Sequence, residues 1–83
     1  MRGISPNAFG SETMIRFGLH FPASISLVVT DALGREVRQL LDQEFHSAGV
    51  HVIRFDAGDL RPGMYFYRLS AGEILLTGRM LLL

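Results

Sequence analysis

Cysteine, lysine and tryptophan are all missing from this 83-residue sequence. Without cysteine there is no disulfide framework, no thiolate metal site and no cysteine nucleophile. Every one of its eight basic residues is arginine, so Schiff-base chemistry, a Walker-type phosphate lysine and a lysine isopeptide cross-link are excluded. Charge of one sign is missing too. Eight acidic residues balance the eight basic ones, which argues against nucleic acid or an acidic membrane as partner, because both select a surplus of cations. Long hydrophobic runs are wanting as well. The first seven residues hold no apolar run of signal-peptide length. The apolar stretch over residues 74–83 is about half a membrane helix and is interrupted by Gly78 and Arg79. No transmembrane segment is expected, and a targeting segment for an exported protein would lie on a longer parent.

What is present is apolar material in short, punctuated segments. The chain is 48% apolar and of a size for one domain, residues 1–83, with a single core. Folding at this length hides about 60% of the surface of the unfolded chain, so each core residue matters to a thin margin. Gly, Pro, Asp and Asn mark turns at Ser5-Pro6-Asn7, Phe21-Pro22, Asp31 to Gly34, Ser47-Ala48-Gly49, Asp56 to Gly63 and Ala71-Gly72. A turn signal thus returns roughly every 8 to 15 residues, the rhythm of a β-sandwich.

Between the turns the apolar residues alternate. Ile15, Phe17 and Leu19 oppose Arg16 and Gly18, and Ile25, Leu27 and Val29 oppose Ser24, Ser26 and Thr30; both segments read as strands with one buried face. Asp31-Ala32-Leu33-Gly34 has Asp first and Gly last, as a hairpin turn requires. Val37, Leu40, Leu41 and Glu44 also fit a helical spacing, but a two-turn helix would have little to support it in so short a chain; a strand with a bulge is expected. Residues 50–56 form a β-branched strand in which His51, Ile53 and Phe55 are expected to face inward. Residues 64–71 alternate Tyr65, Tyr67, Leu69 against Phe66, Arg68, Ser70, and the chain then turns at Gly72 into a last strand. The count is six strands, seven with one at Ile4.

Candidate chemistry is sparse. His20, His46 and His51 make no ligand spacing, and each reads as a surface or partly buried structural histidine. No serine stands in a Gly-x-Ser-x-Gly elbow. Asp56 and Asp59 are close enough for paired-carboxylate hydrolysis, but they lie in a Gly-bearing loop where Asp is a common turn former. A sandwich of this size offers little concave volume. No catalytic, cofactor-binding or metal residue is expected, and the chain is read as a non-enzyme. Among the aromatics, Phe66 alone looks outward, beside Met64 and Arg68, and one exposed ring without any Trp is a weak sugar platform.

The most informative run is Asp59-Leu60-Arg61-Pro62-Gly63-Met64-Tyr65-Phe66-Tyr67-Arg68-Leu69. Pro62 and Gly63 suit the second and third places of a type II turn. Tyr65, just inside the following strand, is placed to lay its ring in the core and return its hydroxyl to backbone near Asp59 or Leu60, as in the tyrosine corner of Ig-like sandwiches. The fold class is all-β: an Ig-like antiparallel β-sandwich of six to seven strands, without disulfide.

Taken in order, Ser5-Pro6-Asn7 with Phe9, Thr13-Met14-Ile15-Arg16-Phe17, Asp31-Ala32-Leu33-Gly34-Arg35-Glu36-Val37, Ala48-Gly49-Val50-His51, Phe55-Asp56, Leu60, Pro62-Gly63-Met64-Tyr65-Phe66-Tyr67-Arg68-Leu69 and Arg79-Met80 resemble the C-terminal sorting domains of type IX secretion cargo. The resemblance spans nearly the whole chain and extends to the Ig-like domain of flagellar hook-capping proteins. It implies the last part of a larger exported protein, often a hydrolase or adhesin of Bacteroidetes-like bacteria, carried through the periplasm to the cell surface or medium. The implied partners are outer-membrane secretion and sortase proteins. The family's Pro-x-Gly-x-Tyr type element corresponds to Arg61-Pro62-Gly63-Met64-Tyr65, and its terminal basic and apolar element to Arg79-Met80-Leu81-Leu82. The residues expected to carry recognition are therefore Pro62, Gly63, Tyr65, Arg79, Met80 and Leu82. The chain departs from the family in having Pro6-Asn7 for Asn-Pro, Phe55 for Trp, and Arg79 for a Lys near the end. A last strand at a sheet edge would offer free backbone groups to a partner and to a second copy, so edge-strand self-association is also expected. The other readings are a structural Ig-like spacer or hook-capping-type domain, and a carbohydrate-binding module of a secreted hydrolase.

Overall fold

The alternating segments fold into eight strands in two layers. A computed structural model describes residues 2–4 and 8–83; the turn expected at Ser5-Pro6-Asn7 lies outside the described residues. In chain order the strands are β1 (Arg2–Ile4), β2 (Ala8–Phe9), β3 (Glu12–Leu19), β4 (Ala23–Asp31), β5 (Glu36–His46), β6 (Gly49–Asp56), β7 (Gly63–Ala71) and β8 (Ile74–Leu82). One sheet has the order β1-β3-β6 and the other β2-β8-β7-β4-β5. All neighbours are antiparallel except the two-residue β2, which runs parallel to the end of β8. The expected sandwich is therefore present, with β1 and β2 as short additions at its margins.

Each sheet turns one parity inward. Ile15, Phe17 and Leu19 of β3 and Phe55 of β6 meet Ile25, Leu27 and Val29 of β4, Tyr65, Tyr67 and Leu69 of β7 and Met80 and Leu82 of β8 in a single buried cluster. Their side chains cover both inner faces, the arrangement that burying apolar surface favours in a two-layer fold. In β6, His51, Ile53 and Phe55 face in while Val50 and Val52 are exposed, the inward set expected. Two aromatics depart from the reading. Phe21 (77% exposed) and Phe45 (69%) look outward more fully than Phe66 (39%). Phe21 lies in the β3–β4 connection and Phe45 pairs with the exposed Ser24, so neither obeys a parity counted along an unbroken strand.

The turns explain the breaks. Asp31 accepts hydrogen bonds from the amides of Leu33 (2.9 Å) and Arg35 (3.0 Å) through Oδ1, and Gly34 takes φ +84°, so the β4–β5 hairpin closes as its residues dictate. Partial burial opposes ionisation of Asp31 and is the largest single influence. The Arg35 and Leu33 amides and the Arg35 guanidinium together outweigh it and hold the carboxyl below the usual carboxylate range. Strand β5 is irregular, with register shifts against β4 between Ile25 and Leu27, Leu27 and Val28, and Val29 and Thr30. Gln43, at φ +50°, sits where the ladder fails. Its amide (3.1 Å) and its side-chain nitrogen (3.0 Å) both donate to Ser26 Oγ, which replaces the lost strand partner.

Candidate functional site

The loop between β6 and β7 is tied down before it reaches Pro62. Asp56 Oδ1 accepts the Gly58 amide at 3.0 Å, the Leu60 amide donates to Ala57 O at 3.0 Å, and the Ala57 amide donates to Ser11 O at 2.9 Å. Arg38 Nη2 reaches Asp59 Oδ1 at 2.9 Å. Both carboxylates thus serve the loop, as the turn reading of Asp56 and Asp59 held.

The type II turn expected at Pro62-Gly63 is not formed. Gly63 has φ +151°, far from the roughly +80° such a turn needs, and it already pairs with Leu82 as the first residue of β7. The reversal is accomplished earlier, at the Ala57 to Leu60 hydrogen bond, and Pro62 only bends the chain into the strand.

The tyrosine corner is formed one residue later than expected. Tyr65, 7% exposed, donates its hydroxyl to the carbonyl of Arg61 at 2.6 Å, not to Asp59 or Leu60, because the acceptor must lie on the straight stretch beyond the turn. This bond spans the Pro62-Gly63 bend and fixes where β7 begins.

From that anchor the register brings the expected recognition residues together. Gly63 lies opposite Leu82, Tyr65 opposite Met80 and Phe66 opposite Arg79. Tyr65, Met80 and Leu82 are buried, whereas Pro62 and Arg79 are exposed. Inside, Tyr67 lies over Gly78, its cross-strand partner, so closely that a Cβ at Gly78 would collide with the ring.

Hairpin chemistry decides which backbone groups of β8 face outward. Ala71 pairs with Ile74 across a two-residue loop in which Gly72 has φ +60°, the first-position glycine of a type II′ hairpin. Such a loop closes on a hydrogen-bonded pair, and pairs then alternate. Ile74, Leu76, Gly78, Met80 and Leu82 thus bond to β7, and the N–H and C=O groups of Leu75, Thr77 and Arg79 point away from it. Among the described residues, Leu81 and Leu82 are paired on that far side, with Ala8 and Phe9. The edge over residues 74–80 carries no further strand among the described residues.

Sequence reasoning singled out Arg79 but left aside Thr77 and Arg68. The hairpin signal at Gly72 combined with alternation finds both, since it sets register and face together.

The histidines come closer than their spacing implied. The rings of His46 and His51 are 4.8 Å apart, with Phe17 at 5.8 and 5.4 Å from them. His46 Nδ1 lies 3.1 Å from Glu44 O and His51 Nε2 2.7 Å from Ser47 O, so each ring is fixed to backbone. No group of three metal-ligating side chains occurs among the described residues, and no helix there is long and apolar enough to cross a membrane.

The architecture is that of an Ig-like sandwich with a tyrosine corner and, among the described residues, an unpaired stretch along its last strand. The family model described as secretion system C-terminal sorting domain matches residues 4–82. The chain belongs to this family: it is a type IX secretion sorting domain, of a kind that is non-catalytic in general and directs cargo to the cell surface or extracellular space. No curated protein and no solved structure matches the chain.

Proposed function

We propose that this domain exports the larger protein of which it is part by offering the open edge of β8 to the outer-membrane secretion apparatus, and that it then serves attachment at the cell surface, where a sortase removes it. The observation that carries this reading is that the backbone groups of Leu75, Thr77 and Arg79 face away from β7 with no strand paired to them among the described residues. Unpaired strand edges template strand addition, with main-chain bonds supplying affinity and side chains supplying specificity. On this reading Arg79 meets the partner directly. Tyr65, Met80 and Leu82 act from inside by holding β7 and β8 in register, and Pro62 and Gly63 set where β7 starts.

The test is a reporter fused ahead of residues 1–83 in a host with a type IX apparatus. The expected product is a surface-bound reporter that has lost the domain. A reporter retained in the cell contradicts the export reading, and a released, uncleaved fusion contradicts attachment.

A further inference from the structure

The two strands that end the fold present an uneven outer face. The outward positions of β7 carry Met64, Phe66, Arg68 and Ser70, and those of β8 carry Leu75, Thr77, Arg79 and Leu81. Two guanidinium groups stand there and no carboxylate does. Arg16 and Arg61 are without an ion pair among the described residues, whereas Arg35 is neutralised by Asp31, Arg38 by Asp59 and Arg54 by Glu12. Arg68 and Arg79 have no such partner among the described residues, although the chain as a whole has no net charge.

Their placement is regular. Arg79 lies opposite Phe66 and Arg68 opposite Thr77, so the two arginines are diagonal neighbours, about 7–8 Å apart across the strand pair. Side chains two residues apart on an extended strand are separated by about 7 Å. A strand added along β8 would set one residue beside Arg79 and the next on that face beside Thr77. Thr77 is short and leaves the lane open from that second position to Arg68. The third position in the row meets Leu75, which is apolar and 58% exposed.

We infer that the segment recognised by β8 is an extended acidic peptide, with two carboxylate side chains two residues apart facing Arg79 and Arg68 and an apolar side chain facing Leu75. This rests on the strand-addition reading above and adds the chemistry of the partner. The carboxylates exchange water for charge-assisted hydrogen bonds to guanidinium, while the backbone bonds along Leu75, Thr77 and Arg79 fix the register.

The experiment compares export of the reporter fusion carrying Arg68→Glu with Arg79→Glu, the same pair changed to Lys, and Thr77→Pro. Thr77→Pro removes an edge donor without touching a bond to β7. Charge reversal is expected to lower export roughly tenfold or more, with Lys retaining most of it, because like charges would face each other across the added strand. Loss of export with Thr77→Pro together with wild-type export of the Glu pair keeps strand addition and overturns the acidic partner. Wild-type export with Thr77→Pro overturns strand addition, and the inference with it. To separate recognition from folding, the 83-residue domain is titrated with a synthetic Leu-Ser-Glu-Ser-Glu peptide and its Gln counterpart, following the amides of Thr77 and Arg79 by NMR. Salt-sensitive shifts with the Glu peptide alone support the inference. Equal shifts with both peptides, none with either, or shifts only with polygalacturonate, which would assign the face to an acidic glycan, overturn it.

Discussion

The ring of Tyr67 lies directly over Gly78, its partner across the β7–β8 ladder. Glycine here is required by close approach: Gly78 leaves the space that the phenol fills, and both belong to the inner face. The pair joins the last strand to the core at the middle of its length, three residues from Leu75 and one from Arg79.

Gly78→Ala should therefore overpack the interior and destabilise the domain by about 1–3 kcal/mol. Urea unfolding of Gly78→Ala, Tyr67→Leu and the double variant checks this. A coupling of at least about 0.5 kcal/mol, with the smaller side chain relieving the alanine, is the expected result. Additive losses would show that Tyr67 does not need the glycine.

Tyr65→Phe removes the hydroxyl that donates to Arg61 O and keeps the ring. The expected cost is about 1 kcal/mol, read as a fall of about 4–8 °C in Tm for a domain of this size. An unchanged Tm would deny the corner a part in anchoring β7.

These two residues show how much was legible in the sequence. Alternation placed Tyr65 and Tyr67 in the core, and the turn signals at Gly34 and Gly72 marked the β4–β5 hairpin and the reversal from β7 into β8, because period and turn chemistry are local properties. The acceptor of the Tyr65 hydroxyl and the conformation of Gly63 were misplaced, since both depend on where the β6–β7 loop reverses, and that is set by the contact of Ala57 with Ser11 far away in sequence. The same limit hid the approach of His46 to His51. Of the six expected recognition residues, the register gathers Gly63, Tyr65, Met80 and Leu82 on facing strands, but only the sheet order reveals that Arg79 stands at an open edge.

The bulge in β5 offers a local test. Ser26→Ala takes away the acceptor of the Gln43 amide, so that amide should exchange with solvent measurably faster in hydrogen-exchange NMR, while the amides of β7 are unaffected. Unchanged exchange at Gln43 would mean the bulge is held by something other than this hydroxyl.

Acid should loosen the β4–β5 hairpin. The pKa of Asp31 is lower folded than unfolded, so its charge contributes stability above the unfolded value of about 3.9 and the contribution is lost as pH falls through the folded pKa. Asp31→Asn should be less stable than the parent at neutral pH, and the gap should close in acid. Unfolding curves at neutral pH and near pH 3 measure the gap; a gap that stays constant would contradict the lowered pKa.

Export of the reporter fusion carrying Thr77→Pro tests the central claim most directly, because that variant removes one hydrogen-bond donor from the open side of β8 and leaves the ladder to β7 whole. The account predicts that the purified domain keeps an unfolding midpoint close to the parent's while the exported fraction falls roughly tenfold, the effect of about 1.4 kcal/mol of lost recognition. Export at the parent's level from an equally well-folded Thr77→Pro domain would contradict it.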